Sequence, residues 1–318
     1  MIWKNKRILI TWWNGFVWAN LVRRLVNLWY QNISLILREW SNFWRINDIL
    51  DNVSVKYWSL TDKEFLEKIV KEIKPEIIYH LAAAWAYIWR DWKWVSDLFT
   101  TNVLWTINLL NVCKDIWFEY FVNTWSSSEY WIKNHPIKED DLLEPSNEYW
   151  ISKASATMYC SFIWKKFSLP IYTFRIFSAF WPYEDKSRLI PSLMLKYINN
   201  EAPELSTPNS VRDFIFIDDI VNYYLNIDLI DGEFWWIFNL WTWHQHSIWE
   251  IVEMVRKISK SDINPKYWVI SIKQDEPNIR EADITKTSNS FKIKTTDTYE
   301  WLILSYHWYL ENKALYQH

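Results

Sequence analysis

Short apolar runs alternate with amphipathic stretches over the first two thirds of the chain. The runs that resemble strands are RILIT (7–11), ISLILR (33–38), VSVKYW (53–58), IIYHLAA (77–83), YFVNTW (120–125) and PIYTFRIF (170–177). Apolar residues at helical spacing lie between them, as in 16–28, 62–73 and 101–115. This βαβ rhythm predicts an α/β fold with a doubly wound parallel sheet and helices on both of its faces.

The pattern changes past residue 180. Four prolines between positions 182 and 208 mark loops among short helical stretches, and a strand-like RDFIFIDD (212–219) precedes a mixed tail. Such a pattern is typical of a smaller domain built from several excursions of the chain. The predicted division is a nucleotide-binding domain of residues 1–178, with a returning segment at about 209–238, and a smaller, mixed substrate domain of 179–208 and 239–318.

The composition is unusual in two residue types. The chain of 318 residues holds 27 tryptophans and only 2 glycines, whereas glycine ordinarily makes up about 7% of a protein. Trp12, Trp13 and Trp18 surround Gly15 at a predicted strand-to-helix turn, where close backbone approach requires glycine. Other tryptophans stand in loop-like contexts beside small polar residues: Trp40, Trp58, Trp131 and Trp241. Our hypothesis is that the source gene reads the UGA codon as glycine, so that most of these tryptophans are glycine in the native protein.

A few tryptophans have the surroundings of genuine ones. Trp44 in NFWRI and Trp308 in YHWYL lie in apolar, aromatic contexts that a protein core uses. The alternative to the codon hypothesis is that all the tryptophans are genuine. Indoles at 12 and 18 would then fill the place of a dinucleotide pyrophosphate, and a non-catalytic dinucleotide-binding or scaffold protein would become the better interpretation.

Charge and cysteine content favour a protein that acts on small molecules. The net charge of -3 and the pI near 6.1 provide no broad basic face for nucleic acid. The N-terminal residues are too charged for a signal peptide, and no run of about 18 apolar residues follows, so we expect a cytoplasmic protein without a membrane segment. Cys113 and Cys160 are predicted to be interior thiols, and neither belongs to a metal-binding pair.

The first motif with chemical content is the turn after the first strand. With Trp12 and Trp18 taken as glycine, the glycines at 12, 15 and 18 let the backbone turn tightly at a helix N-terminus and approach a pyrophosphate. Phe16 and Val17 lie in the first turn of that helix. The motif predicts that the first domain is a Rossmann domain that binds a dinucleotide.

The end of the second strand bears on the choice of dinucleotide. This position normally carries an acidic residue that holds the ribose 2′-hydroxyl, whereas the chain has Arg38. Because a guanidinium can bind a 2′-phosphate, NADP(H) is favoured over NAD(H). The neighbouring Glu39 leaves NAD(H) possible.

The predicted reaction centre is the segment NEYWISKASA. Tyr149 and Lys153 are four residues apart, so on a helix they share one face a turn apart. The phenol can act as general acid or base, while the ammonium lowers its pKa and binds the nicotinamide ribose. Ser126 ends a predicted strand, at the sheet edge where ligands bind, and its hydroxyl can hold the reacting oxygen.

These motifs together resemble one known family. The glycine turn, HLAAA, TTNVLWT, NTWSSSEY, the Tyr149–Lys153 pair, FRIFSAFWPY and RDFIFIDD occur in the order found in the extended short-chain dehydrogenases called the NAD-dependent epimerase/dehydratase family. The resemblance extends from about residue 7 to 285.

The resemblance implies further binding residues. On the cofactor, it places Ser59 and Leu60 near the adenine, His80 to Ala83 (with Leu81 and Ala82) along the adenosine, and Asn102 towards the nicotinamide. Phe177 is implied as a further cofactor-binding residue. On the substrate, it implies Ser127, Ser178, Arg212 and Arg280. The two arginines match positions that bind the sugar-nucleotide diphosphate, and Ser178 stands where relatives carry asparagine, which puts that substrate contact in doubt.

The departures from the family pattern narrow the expected reaction. Relatives that eliminate water from nucleotide sugars carry an Asp-Glu pair after the catalytic hydroxyl, whereas this chain has Ser127 and Ser128, and only a one-residue gap would bring Glu129 into play. The resemblance therefore favours an NAD(P)-dependent reductase of a 4-keto-6-deoxy nucleotide sugar at C4. A nucleotide-sugar 4-epimerase is the alternative, and net consumption of NADPH distinguishes the two. A homodimer formed through the helix of Tyr149 and Lys153 is also expected.

Overall fold

The computed structural model describes most of the chain. The described residues are 2–11, 15–38, 41–57, 62–84, 92–130, 133, 135–180, 182–230, 237–242, 245–271 and 281–317.

Strands and helices alternate through the first half of the chain. The strands are β1 (Arg7–Thr11), β2 (Asn32–Leu37), β3 (Ser54–Tyr57), β4 (Ile77–His80), β5 (Tyr120–Ser126), β6 (Ile171–Ile176), β7 (Ala179–Phe180), β8 (Val211–Asp213), β9 (Ile215–Phe216), β10 (Ile237–Leu240) and β11 (Gln245–Ser247). The helices are α1 (Phe16–Asn27), α2 (Lys63–Ile73), α3 (Trp92–Phe99), α4 (Trp105–Cys113), α5 (Glu148–Phe167), α6 (Leu189–Ile198), α7 (Ile217–Leu225), α8 (Ile248–Ser259), α9 (Thr285–Phe291) and α10 (Thr298–Asn312).

Seven of these strands form one sheet, in the order β10-β6-β5-β4-β1-β2-β3. The five pairings from β6 to β3 are all parallel, and Thr11 at the end of β1 lies beside His80 at the end of β4. The carboxyl ends of β1, β4 and β5 therefore meet at one edge of the sheet, where α/β proteins bind their ligands. The α/β fold with a doubly wound parallel sheet is confirmed.

The buried character of the strands explains the parallel sheet. Every residue of β4 is buried, and apolar residues from β1, β4 and β5 form one core cluster with residues of α2, α4 and α5. Parallel strands covered by helices on both faces are expected to be apolar throughout. This cluster includes both cysteines, Cys113 and Cys160, as the sequence predicts for interior thiols.

Local signals set the ends of the helix that carries the predicted reaction centre. Asn147 caps α5, since its side-chain oxygen accepts from the N–H of Trp150 at 2.9 Å. The helix ends where Ser168 takes a left-handed conformation with φ 53°. Tyr149 and Lys153 consequently lie in its first two turns.

The chain divides into two compact units. The first comprises Met1–Trp131, Glu139–Ile176 and Asp231–Asn239, and the second comprises Ile132–Lys138, Phe177–Ile230 and Leu240–His318. The segment predicted to return to the first domain, about 209–238, overlaps that unit only from residue 231 onwards. No helix in the described parts of the chain combines the length and apolar character that crossing a bilayer requires.

Candidate active site

Tyr149 and Lys153 lie on one face of α5. The Nζ atom of Lys153 is 5.5 Å from the centre of the Tyr149 ring, and the lysine side chain is buried, with 3% of its surface exposed. A buried ammonium next to a phenol is the arrangement that the four-residue spacing predicts. It places an amine that can carry a positive charge beside a phenol that can gain or lose a proton.

The serines lie where β5 leaves the sheet. Ser126 is the last residue of this strand and is half-buried, whereas Ser127 opens a 3₁₀ turn, Ser127–Tyr130, and is buried. Ser126 thus stands at the ligand-binding edge of the sheet, as expected from the sequence. The side chain of Ser128 lies outside the described structure.

Asn102 ties the loop after β4 to α5. It lies in a π-helical turn, Thr100–Leu104, and is fully buried. Its Oδ1 accepts from the backbone N–H of Ala84 at 2.7 Å, and its Nδ2 donates to Ser152 Oγ at 2.9 Å. Since the Ser152 hydroxyl in turn donates to the carbonyl of Tyr149, this asparagine fixes the start of α5 relative to the sheet edge.

His80 forms a second buried link at the same edge. Its Nδ1 is 2.6 Å from Thr11 Oγ1 and its Nε2 is 2.9 Å from Thr106 Oγ1. Because the Thr106 hydroxyl donates to the carbonyl of Asn102, it must accept from Nε2–H, which leaves Nδ1 to accept from Thr11. Burial first, and then the charge of Lys153, lower the pKa of His80 to about 3, so the ring is neutral.

The residues after β4 continue beside the end of β1. The N–H of Leu81 donates to the carbonyl of Thr11 at 3.1 Å, beyond the last pairing of β4 with β1. Leu81 and Ala82 are buried, and Ala83 is half-buried.

The predicted glycine turn is described from Gly15 onwards. Gly15 is the N-cap of α1, with φ -97° and ψ 159°, and makes no side-chain cap. Phe16 and Val17 are half-buried in the first helical turn, and Trp18 is buried. Trp12 lies outside the described residues.

Arg38 lies directly after β2. Its Nη2 donates to Thr101 Oγ1 at 3.1 Å, and its guanidinium carbon lies 4.5 Å above the ring of Trp105. Burial lowers the pKa of Arg38 to about 10, against the opposing charge of Asp97. The guanidinium is thus engaged by two side chains near the place where a ribose 2′-substituent was predicted.

The remaining predicted residues fall in the second unit or outside the described structure. Phe177 is buried and stacks on Trp241 at 5.5 Å, and the carbonyl of Ser178 accepts from the N–H of Ile215. Arg212 lies on β8, and its Nη1 donates to the carbonyl of Val211. Ser59, Leu60 and Arg280 lie outside the described residues.

A buried ion pair that is not among the predicted site residues lies beside the predicted reaction centre. Glu129 and Arg175 are almost wholly inaccessible, and Arg175 Nε donates to Glu129 Oε2 at 3.0 Å. Thr157 Oγ1 donates to the other carboxylate oxygen at 3.2 Å, and Arg175 also donates to the Tyr130 hydroxyl and, at 3.1 Å, to the carbonyl of Glu139. An arginine inside the apolar strand PIYTFRIF was the signal for this pair, because a charge in a buried strand requires a partner.

Burial dominates the electrostatics of the two predicted catalytic groups. It raises the pKa of Tyr149, and the Glu129 carboxylate raises it further, which is opposite to the lowering by Lys153 that the sequence predicts. It lowers the pKa of Lys153 well below the usual value, and the same carboxylate opposes that shift. Perturbed pKa values of this kind are typical of functional sites.

The polar groups suit a dinucleotide, but an indole contacts the key cation. The centre of the Trp125 ring lies 3.4 Å from Lys153 Nζ, and its Nε1 donates to the carbonyl of Lys153 at 2.5 Å. The indole of Trp125 thus contacts the ammonium of Lys153 directly.

Comparison with known proteins links this arrangement to one family. The sequence model of the NAD dependent epimerase/dehydratase family matches residues 8–227. The chain is 28% identical over 273 residues to ADP-L-glycero-D-manno-heptose-6-epimerase from Brachyspira hyodysenteriae, a match that covers 80% of this chain and 81% of that protein. It is 26% identical over 272 residues to dTDP-D-glucose 4,6-dehydratase from Dictyostelium discoideum, a match that covers 80% of this chain but 62% of that protein.

Solved structures share the fold over almost the whole chain. UDP-N-acetylglucosamine 4-epimerase from Methanobrevibacter ruminantium M1 superimposes with a TM-score of 0.84 at 22% identity, covering 97% of this chain and 99% of that one. UDP-glucuronic acid 4-epimerase from Bacillus cereus, in complex with UDP-glucuronic acid and NAD, gives a TM-score of 0.83 at 22% identity, with coverages of 96% and 99%.

Proposed function

Because the chain belongs to the NAD dependent epimerase/dehydratase family, we propose that it transfers a hydride between a nicotinamide dinucleotide and C4 of a nucleotide-linked sugar. The observation that carries this proposal is the buried Lys153 ammonium 5.5 Å from the Tyr149 ring, beside the ligand-binding edge of the sheet. The curated relatives and the related structures act on nucleotide-linked sugars, by their names, which supports this substrate class. The cytoplasm remains its predicted location.

The proposed roles follow from the positions of the side chains. The nicotinamide supplies or accepts the hydride. Tyr149 gives its phenolic proton to the C4 oxygen in the reductive direction and removes it in the oxidative direction. Ser126 orients the same oxygen by a hydrogen bond, and Lys153 holds the positive charge that stabilises the phenolate and donates to the ribose.

Within the family, reduction of a 4-keto-6-deoxy sugar is the reaction we favour. Elimination of water requires an additional acid and base beside the sugar, and the positions after Ser126 are Ser127 and Ser128. Glu129 does not replace them, because Arg175 and Thr157 hold its carboxylate in a fully buried position. Epimerisation at C4 is the second candidate, and the epimerase names of the related structures favour it.

The dinucleotide is NAD(H) or NADP(H), and Arg38 is the argument for NADP(H). It follows β2, where a 2′-phosphate would lie, although Thr101 and Trp105 engage it. We further propose that Arg212 and Arg280 bind the diphosphate of the sugar nucleotide, since a guanidinium suits that group. The active form is proposed to be a homodimer.

The test is a panel of UDP-, dTDP-, GDP- and CDP-linked 4-keto-6-deoxy sugars with NADPH or NADH. It uses the full chain with the residues that the native protein carries at the tryptophan positions. Stoichiometric loss of the reduced cofactor with formation of a 4-hydroxy sugar supports the reductase. Interconversion of C4 epimers without net loss of cofactor supports the epimerase, and turnover of no nucleotide sugar by protein that binds the dinucleotide overturns the proposal.

A further inference from the structure

Glu129 and Arg175 form a buried ion pair that the proposed chemistry does not use. Glu129 is fully buried in the 3₁₀ turn that begins one residue after Ser126, and Arg175 lies on the neighbouring strand β6. Buried charges are costly, and a hydrophobic pair of similar volume is often as stable, so such a pair at a reaction centre suggests a role in function.

The position of the pair relative to α5 indicates what that role is. Tyr149, Lys153 and Thr157 are spaced four residues apart and form a row along one face of this helix. The carboxylate of Glu129 is hydrogen-bonded to Thr157, one turn beyond Lys153. It therefore lies at the far end of the row from Tyr149, inside the protein rather than on the substrate side.

Lys153 needs an anion at this place. The lysine is 3% exposed, so water stabilises its charge little, and an isolated buried ammonium would lose its proton. Burial lowers the pKa of Lys153, and the carboxylate of Glu129 is the charge that raises it again among the described residues. The two aromatic rings near Lys153 Nζ, those of Tyr149 and Trp125, carry no negative charge that could stabilise the ammonium.

We propose that Glu129 is the counter-ion of Lys153 and hence a positioning residue for hydride transfer: its carboxylate, paired with Arg175, keeps the lysine protonated beside Tyr149. This inference rests on the role proposed above for Lys153. Glu129 itself touches neither substrate nor cofactor.

The surrounding groups are compatible with an ionised Glu129. Several titratable and charged groups surround the pair of Glu129 and Lys153. They are Tyr149 and Cys160 on α5, Arg175 on β6, Tyr130 on the 3₁₀ turn, His80 on β4 and Glu139 in the loop that follows the turn. Burial raises the pKa of Glu129 above its usual value, and the opposing effects of Arg175, Thr157 and Lys153 offset this rise only in part. Because arginine does not lose its proton in proteins, a protonated Glu129 would leave the Arg175 charge uncompensated, and the ion pair is the stable form.

The experiment is a direct titration of Lys153 by NMR. The full chain is labelled isotopically at lysine Cε, and the Lys153 signal is assigned by its absence from Lys153→Met. We expect Glu129→Gln to lower the pKa of Lys153 by about one unit or more, since it removes the nearby negative charge and retains Arg175. Glu129→Asp, which keeps the charge, should restore at least half of the shift.

Two further variants separate charge from structure. Thr157→Val removes a hydrogen bond to the same carboxylate but no charge, and should leave the Lys153 pKa within about 0.3 units of the parent value. The double variant Glu129→Gln with Arg175→Met avoids an unpaired arginine, so it provides the measurement if Glu129→Gln alone does not fold. It should also lower the pKa of Lys153, by less than Glu129→Gln.

The outcomes distinguish this inference from the proposed function. An unchanged Lys153 pKa in folded Glu129→Gln, or in the double variant, would show that the pair is structural and overturn the inference, whatever the sugar panel shows. A lowered pKa supports the counter-ion even if no sugar in the panel reacts, because the titration requires neither substrate nor cofactor. In an active protein, the loss of activity at high pH should move to lower pH in Glu129→Gln and stay in place in Thr157→Val.

Discussion

At the scale of single residues, several tryptophans occupy positions that suit glycine. Trp29 and Trp268 have φ of 64° and 65°, in the left-handed region that a bulky side chain enters at a cost of about 1 to 3 kcal/mol. Both expose their indoles to solvent, so no packing offsets this cost. In the core, Trp105 and Trp241 are buried with indole N–H groups that find no acceptor among the described residues, at about 1 to 3 kcal/mol each.

Two tryptophans of α10 show the difference between a substituted and a genuine site. Trp301 is fully buried, and its indole N–H lacks a partner within the described structure. Its ring centre lies only 3.6 Å from that of Phe180, whereas the centres of paired aromatic rings are usually about 4.5 to 7 Å apart. Trp308 instead packs edge-on against Tyr183 at 4.9 Å and Tyr309 at 5.2 Å. These surroundings agree with the sequence-based choice of Trp308 as a genuine tryptophan.

The first prediction is therefore the composition of the native protein. Peptide mass spectrometry of protein from its native source should show glycine at positions 12, 13, 18 and 301, and tryptophan at 44 and 308. Protein made with tryptophan throughout should express poorly and bind no dinucleotide, because the combined strain approaches the roughly 5 to 15 kcal/mol by which a domain is stable. Native peptides that carry tryptophan at 12 and 18 would refute the codon hypothesis.

The second prediction concerns the proton donor. Tyr149→Phe keeps the aromatic ring but removes the hydroxyl, so turnover should fall by about 10²-fold or more while dinucleotide affinity changes little. Steady-state kinetics and a fluorescence titration with the dinucleotide measure the two effects. Tyr159→Phe, a half-buried tyrosine further along α5, is the matched control and should retain activity. Full turnover in Tyr149→Phe would contradict the proposed mechanism.

The third prediction concerns cofactor choice. Arg38→Asp should shift the ratio of kcat/KM towards NAD(H), because a carboxylate repels a 2′-phosphate and accepts a hydrogen bond from a 2′-hydroxyl. The control is Arg24→Asp, which makes the same change of charge at an exposed position of α1 and should leave the ratio unchanged. Arg45 is less suitable as a control because it is buried. An unaltered ratio in Arg38→Asp would mean that its contacts with Thr101 and Trp105 are structural.

Residue spacing indicated that Tyr149 and Lys153 share one face of α5, but it did not indicate the contacts that support them. The four-residue separation of Tyr149 and Lys153 sufficed because α5 imposes it, and Ser126 followed from the end of a strand. The contacts of Asn102 with Ala84 and Ser152 depend on a π-helical turn, which no local pattern indicated. In the chain, Asn102 is separated from Ala84 by 18 positions and from Ser152 by 50 positions, so only the fold brings these residues together.

At the scale of elements, strands were predicted well where they are buried and less well where they change partners. The run at 77–83 ends as a strand at His80, because the chain leaves the sheet after Leu81 bonds to Thr11. RDFIFIDD was expected to be one strand but forms two, Val211–Asp213 and Ile215–Phe216, followed by α7 from Ile217. The first of these pairs with β11 and the second with β7, so a change of partner sheet divides the run.

The fourth prediction tests the capping of α8. Ser247 and Glu250 form a capping box, in which Ser247 Oγ accepts from the N–H of Glu250 at 3.1 Å and Glu250 Oε2 accepts from the N–H of Ser247 at 2.7 Å. Ser247→Ala should lower the free energy of unfolding by about 1 kcal/mol, or Tm by about 2 °C. Ser288→Ala, at an exposed position within α9, should change the stability by less than about 0.5 kcal/mol. Equal effects of the two substitutions would show that the box contributes nothing beyond helix propensity.

At the scale of the whole molecule, the bounds of the two compact units differ from those of the predicted domains. Ile132–Lys138 belongs to the second unit although it lies within the stretch predicted as the first domain. The reason is a long-range pairing, since Ile137 bridges to Ala282 and its N–H donates to the carbonyl of Glu281. A seven-residue excursion of this kind carries no compositional signal. The assignment of the second unit to substrate binding stays a prediction.

The outer face of α5 provides the argument for a second copy of the chain. Ile151, Met158 and Phe162 are exposed on this helix, at spacings of seven and four residues that place them on one face. Lys153, Thr157 and Cys160 of the same helix are buried, so the buried face of α5 and the apolar row lie on different sides of the helix. Apolar rows of this kind on a soluble protein typically mark an interface.

The fifth prediction is that this row forms the dimer interface. Met158, with 66% of its surface exposed, lies between the other two apolar residues of the row. In a symmetric contact, Met158→Glu would bury an unpaired negative charge opposite the same charge of the second copy. The substitution should weaken the dimer by at least about 10²-fold. Sedimentation velocity at micromolar concentration measures this as a change from dimer to monomer. Leu142→Glu introduces the same charge at an exposed leucine outside the helix and should leave the dimer intact. If Met158→Glu sediments as a dimer, the contact between copies uses another surface; if the parent protein is a monomer, the row has a different partner.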